Sequence, residues 1–512
     1  MKKMSERVHK SILNAEVNLV FYFLSLFLSF FSRKVFLDCL GASFIGLTGT
    51  LGNILGYLNL AELGIGGCIS IFLYKPLQNK NRQEINEIIS VFGYLYRIIG
   101  TVILIAGIIV SLFFPLIFTG ETDFGLGIIY FSFFSLLGSS LIGYFINYRQ
   151  IILSADQKNY IVSGYFQTAN LVKTIIQILL VYNYKNLFLW VAIEFVFSVI
   201  CCIILNWKID REYPWLKSDK SRGSQLLKKY PDILPKTRQI FIHQIKDFVL
   251  GKSDELFVFA FVSLQMVAYY SNYIILITKA TQFFTRAQDG LQASVGNLIA
   301  EDDKDRIMKV FWELMSLKYF IAGFLCFSIF HLAEPFISLW LGSQYILSHE
   351  IIVLLVIYTY MTNIRGVVDF YNHSYGLYAD TWSAWAELII NVSITILLGL
   401  RYGIIGILLG KIVSVMLIVM FWKPYYLFSS GLKLPISIFW KGTLRYHAIF
   451  LVSFFLVSAA IKVVPINPYD SYWTWMLYAL CCITLFILLE SAGFYFFTPG
   501  TKDLMYRIRA KR

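Results

Sequence analysis

An all-α, polytopic membrane protein of about fourteen transmembrane helices is the fold class that the sequence predicts, and three observations carry that prediction. Of 512 residues, 58% are hydrophobic, 17% aromatic and only 15% charged, and the mean hydropathy is +0.66. So little polar surface could not coat a water-soluble globule of this length. Apolar runs long enough to cross a bilayer recur along the whole chain, and Lys and Arg gather in alternate connections between them.

The runs fall near residues 15–37, 44–74, 88–118, 125–147, 159–181, 187–206, 239–263, 268–299, 308–340, 350–371, 377–399, 403–422, 444–464 and 472–496. Several exceed the roughly 20 residues that a bilayer requires, which predicts tilt, kinks or protruding ends. The first run follows Lys2, Lys3, Arg7 and Lys10, as a signal peptide would. No small-residue cleavage site follows it, so the first helix is expected to remain. Placing the amino terminus in the cytoplasm assigns thirty Lys and Arg to inner connections and five to outer ones, with nine inside the spans. An even number of crossings with both termini inside a bacterial cytoplasmic membrane fits that asymmetry. The net charge of +13 is then a topology signal, and no nucleic-acid partner is expected.

The longest connection, residues 207–238, carries nine of the basic residues and reads as a solvated cytoplasmic linker. It divides the chain into an amino-terminal lobe (1–206, helices 1–6) and a carboxy-terminal lobe (239–424, helices 7–12). Residues 425–512 add helices 13 and 14 and a basic tail. Residues 81–100 and 303–323 each place a charged loop before a helix with a basic residue beside Tyr, Arg97 or Lys318, ahead of glycine. That echo agrees with a duplicated six-helix unit. Seven cysteines and six histidines are scattered without ligand spacing, so neither a metal nor another cofactor is expected.

Function is legible mainly in polar groups inside the spans, because a charge in hydrocarbon costs at least ~2.5 kcal/mol and must find a partner or water. In helix 8, Lys279, Gln282, Arg286 and Asp289 are spaced three, four and three apart and share one face. Helix 5 carries Gln167, Asn170, Thr174 and Gln177 on a stripe with Lys173 beside it. Arg33 follows a polar stripe in helix 1, Lys252 sits in a densely charged helix 7, and Arg365 and Asp369 lie one turn apart in helix 10. Each such residue is either a member of an internal ion pair or a wall of an aqueous cavity. The excess of buried Lys and Arg favours an anionic substrate, phosphate above all.

Residues 33–76 contain an Arg after helix 1, then LG, a Gly-rich second helix with AELGIG, and a closing LYKP. Here the chain resembles the Wzx-type oligosaccharide flippases of the multidrug/oligosaccharidyl-lipid/polysaccharide exporter superfamily. The resemblance covers about a sixth of the chain at motif level and the rest through helix count and loop length. It implies two six-helix lobes around a central cavity open to each side in turn, and transport of undecaprenyl-pyrophosphate-linked sugar units in O-antigen, lipopolysaccharide or capsule assembly. It also implies a lipid-linked oligosaccharide and membrane lipids as partners, with a coupling ion and other polysaccharide-assembly membrane proteins as further ones. By analogy, the cavity residues would come from Arg33, Arg97, Lys173, Lys252, Lys279, Gln282, Arg286, Asp289, Arg365 and Asp369. A lipid II flippase or a multidrug antiporter are alternatives within the superfamily. A membrane polymerase or glycosyltransferase is the alternative outside it, disfavoured because every outer loop is short, and no catalytic residue is assigned.

Overall fold

In a computed structural model the chain is 89% helical, with no strand among the described residues. Those residues are 2–62, 65–118, 124–156, 158–288, 295–296, 298–299, 303–377 and 380–510, the side chains of 2–19, 61, 67, 68, 71, 159, 160, 236, 238–240, 242–244, 246, 247, 286–288, 381 and 508–510 excluded. Ten helices among them are long and apolar enough to cross a membrane. The chain divides into two compact units, Met1–Phe259 with Ser263–Ala268, and Ala260–Val262 with Tyr269–Arg512.

The first unit begins with α1 (Lys2–Leu40). Gly41, at φ 84°, turns the chain into α2 (Ala42–Leu58), a conformation that a residue with a Cβ adopts only under strain. The apolar run at 44–74 is not one span. It breaks at a 3-10 turn, Asn59–Glu62, before α3 (Ile65–Gln78). The physical reason lies in NLAE, whose Asn and Glu have side-chain partners elsewhere that a continuous apolar helix would not provide. Then follow α4 (Arg82–Leu112), α5 (Leu126–Phe145), α6 (Asn159–Tyr184) and α7 (Leu187–Glu212). Helix α4 opens on Asn81, whose side chain accepts from the Glu84 N–H, satisfying one of the orphan donors of a first turn. Helix α1 packs along α6, α5 along α4 and α7, and α6 along α7.

Residues 207–238 are not a free linker. After α7, a short helix α8 (Gly223–Lys229) and the turn before it lie along α4. The Lys217 N–H donates to the Asn86 side chain at 2.8 Å and the Asp219 N–H to Ser90 Oγ at 2.9 Å. Lys229 and the Tyr230 hydroxyl both reach Glu87, at 2.6 and 2.7 Å. Gly223 permits the approach, since a Cβ there would stand 2.2 Å from Tyr94 Cβ. Composition pointed to solvent because the segment is basic, but its charges are partly spent on carboxylates and carbonyls of the unit. Helix α9 (Ile233–Phe261) then leads to α10 (Leu264–Gln288).

The second unit is built on α11 (Lys304–Trp340), capped by the Asp303 side chain on the Arg306 N–H. The run at 350–371 is divided at Arg365 into α12 (His349–Ile364) and α13 (Gly366–Ser374). Helix α14 (Thr381–Tyr402) packs on α15 (Ile404–Ser414). The chain continues from α15 through two π-helical stretches, Val415–Trp422 and Leu427–Leu432. Between them lies Pro424, which has no N–H to close an α-turn. Last come α16 (Ser437–Ala460), α17 (Tyr472–Phe497) and α18 (Pro499–Ala510). Helix α11 is the hub of this unit, touching α12, α16, α17 and α18. Its core is aromatic, with Phe311, Tyr319, Tyr371, Phe428 and Tyr446 all buried.

Candidate functional site

Polar groups cluster where the spans break or meet. In the first unit, the turn that interrupts the second span presents Glu62 to two tyrosines. Tyr96 of α4 donates to one carboxylate oxygen, and Tyr144 of α5 donates to the other at 2.5 Å. Ser140 donates to Asn59 of the same turn at 3.2 Å. Interrupted helices are tolerated in a bilayer where protein or water satisfies the freed groups, and they often carry the functional residues of transporters. A second carboxylate, Glu255 of α9, accepts from Asn53 of α2 at 2.5 Å.

Lys173 of α6 is not an open cation. Its Nζ lies 2.6 Å from Glu194 of α7, and Gln177 donates to the other oxygen of Glu194 at 3.3 Å. The Arg33 guanidinium donates to the Ala268 carbonyl at 3.1 Å. Arg97 is exposed on α4, in the field of Lys220. That lysine donates to the Phe145 carbonyl at 2.6 Å and lies 4.3 Å over the Tyr148 ring. Its pKa is depressed, first by burial and then by Arg97 and Arg149. Lys252 is exposed on α9.

In the second unit, Lys279 is half-buried and Gln282 exposed on α10. The side chain of Arg286 and the whole of Asp289 lie outside the described residues, so the predicted four-residue face is seen only in part. Arg365, at the break between α12 and α13, pairs with Asp369 at 3.1 Å, as the one-turn spacing permits. Lys411 is buried, 4.5 Å over the Tyr358 ring. Of the predicted residues, the structure pairs Arg365 with Asp369, and it gives Lys173 a partner the sequence did not single out, Glu194.

Sequence reading passed over the groove between α16 and α17. It encloses about 550 Å³ and is lined by Ile449, Val452, Leu489, Gly493 and Phe496, with Arg445 at one end. The same arginine also lines a neighbouring pocket of about 280 Å³, with Lys441, Tyr446, Trp312 and Thr498. Val452 and Phe496 are 56% and 66% exposed, as side chains facing lipid would be. An apolar slot ending on Arg445, with Lys441 in the pocket next to it, suits a molecule with a hydrocarbon tail and an anionic head. Its sequence signal was the spacing Lys441, Arg445 just ahead of an apolar run, which was counted only as topology.

The fold is that of a polytopic all-α membrane protein, and solved structures similar to it include a flippase and MATE transporters. The lipid II flippase MurJ, in an inward closed conformation, superposes with a TM-score of 0.66 at 16% identity, over 94% of this chain and 99% of that one. An inward-facing multidrug resistance MATE transporter of the MOP superfamily gives 0.56 at 14% identity, over 82% and 98%. A MATE transporter from Vibrio cholerae gives 0.51 at 13% identity, over 83% and 99%. No family profile and no curated protein sequence matches the chain.

Proposed function

We propose that this chain is a flippase that moves undecaprenyl-pyrophosphate-linked oligosaccharide units across the cytoplasmic membrane by alternating access through a cationic cavity. The observation that carries this reading is the apolar groove between α16 and α17 with Arg445 at one end, the same arginine lining a neighbouring pocket together with Lys441. It matches a substrate whose tail stays in lipid while its phosphorylated head is taken up by cations. The motif at residues 33–76 supports the oligosaccharide class, and the likeness to a lipid II flippase extends over more of the chain than the likeness to the multidrug exporters. The task needs no bond making: polar and charged side chains replace water around the headgroup.

Deleting the gene and identifying the lipid-linked intermediate that accumulates on the inner leaflet tests the proposal. Accumulation of an undecaprenyl-pyrophosphate oligosaccharide, relieved by the wild-type gene and not by Arg445→Glu with Lys441→Glu at equal protein level, is the expected result. Accumulation of lipid II would assign the chain to peptidoglycan export instead. A multidrug antiporter is the second reading, favoured by the half-buried carboxylates Glu62 and Glu255, which could hold a cationic drug. Drug hypersensitivity without any lipid intermediate would establish it.

A further inference from the structure

Glu490 of α17 is wholly buried, at 0% exposure, and neither of its carboxyl oxygens has a hydrogen-bond partner. The chain makes room for it: a Cβ on Gly323 of α11 would stand 2.0 Å from Glu490 Oε1 and 3.1 Å from Phe450 Cδ2 of α16. A glycine there opens a niche of one carboxyl group. The walls are Phe450 and, one turn back on α17, Phe486, which is itself fully buried.

Among the described residues, the titratable groups around the niche are engaged with partners of their own. Helix α11 contributes Cys326, whose thiol is directed to the Val356 carbonyl at 3.5 Å, and Tyr319. Helix α12 contributes Tyr360, and α16 contributes His447. The imidazole of His447 is shared between the Tyr319 hydroxyl at 3.2 Å and the Tyr360 hydroxyl at 3.1 Å. On α17 itself, Cys482 lies two turns away. No lysine or arginine stands among these groups. Glu313, whose partner is Arg507 of α18, lies ten residues back from Gly323 along α11, about 15 Å. An ionised carboxylate in such a place would be stranded without compensation, and a buried acid in that position takes up a proton instead. A metal cation finds one carboxyl group and aromatic walls where it would need six or more oxygens.

We propose that Glu490 is a proton-binding site of this unit, neutral in the conformation seen here, and that its proton is the coupling ion of transport. The carboxylate takes the proton from water and returns it to water when the seam between α11 and α17 hydrates, so one proton is bound and released per opening of the seam. The coupling role rests on the transporter reading above, whereas the protonation does not.

Infrared spectroscopy of the purified full-length protein tests protonation directly. Wild type should show a carboxylic-acid carbonyl band at neutral pH that shifts in heavy water and is missing from Glu490→Gln, a variant of the same shape. An unchanged spectrum in Glu490→Gln would overturn the proposal. In cells, Glu490→Gln at wild-type protein level should lose at least ten-fold of glycan export and be indifferent to collapse of the pH gradient by an ionophore, to which wild type responds. Export equal to wild type, with the band lost, would refute the coupling role. Should wild type export no glycan at all, the substrate reading fails while the infrared result stands on its own.

Discussion

Lys173→Met separates the two readings of an intramembrane cation most cleanly. The Lys173 and Glu194 side chains are 14% and 25% exposed, with Nζ and Oε1 2.6 Å apart. Removing the ammonium leaves Glu194 charged within a span, where an uncompensated charge costs ~2.5–3.5 kcal/mol. Gln177 still donates to Glu194 at 3.3 Å, and the partial exposure of the Glu194 side chain admits water, which together lower the cost to ~2 kcal/mol. That is about a thirty-fold drop in the folded-to-unfolded ratio, or a fall of about 4–8 °C in melting temperature for a unit of this size. Size-exclusion chromatography after heating the detergent-solubilised protein reads the shift. Lys173→Met with Glu194→Gln should recover most of it, since the double change strands no charge. If Lys173→Met melts like wild type yet blocks export, Lys173 serves the substrate, and the argument from pairing fails.

Three further outcomes follow from the same geometry. Gly223→Val should drive α8 off α4, because even a Cβ meets Tyr94 at 2.2 Å, and limited trypsin digestion should then cut at Lys217–Lys229 several-fold faster. Arg507→Ala strands the Glu313 carboxylate, whose side chain is 2% exposed, and should cost ~3 kcal/mol, recovered by adding Glu313→Gln; heating assays on both variants check this. Asp380 lies just before α14, and although burial opposes its charge, Lys423 at 2.7 Å, Trp422 and Ser383 hold its pKa below the usual carboxylate value. Its contribution is present above the unfolded carboxyl pKa of about 3.9 and is lost as pH falls through the folded value. Asp380→Asn should therefore flatten the acid limb of the stability profile and leave neutral-pH transport unchanged.

Much of the site was legible only as residue type. Arg365 and Asp369 pair because a helix brings residues four apart together, and sequence spacing suffices for that. Lys173 is different. Its partner Glu194 is twenty-one residues away, across a turn between two helices, and only the packing of α6 on α7 shows that the cation is already neutralised. Glu62 stands in the AELGIG stretch, where the sequence shows its glycines, while the tyrosines that donate to it come from two other helices. The basic linker was assigned to solvent on composition, which counts charges without seeing Glu87 and the carbonyls that receive them.

The sequence by itself determined that the chain is helical and lies in a membrane, because bilayer solvation acts on each segment locally and shows directly in its hydropathy. It also determined that Lys and Arg lie inside apolar runs, though it could not tell that Lys411 would be buried and Arg97 and Lys252 exposed. Tertiary structure alone decided which of those charges are compensated, where the second span breaks, that α16 and α17 enclose a groove, and that Glu490 has no partner. Each of these depends on distances between helices far apart in the chain, and those are set by close packing such as that of the Glu490 side chain against Gly323 rather than by any periodicity within one segment.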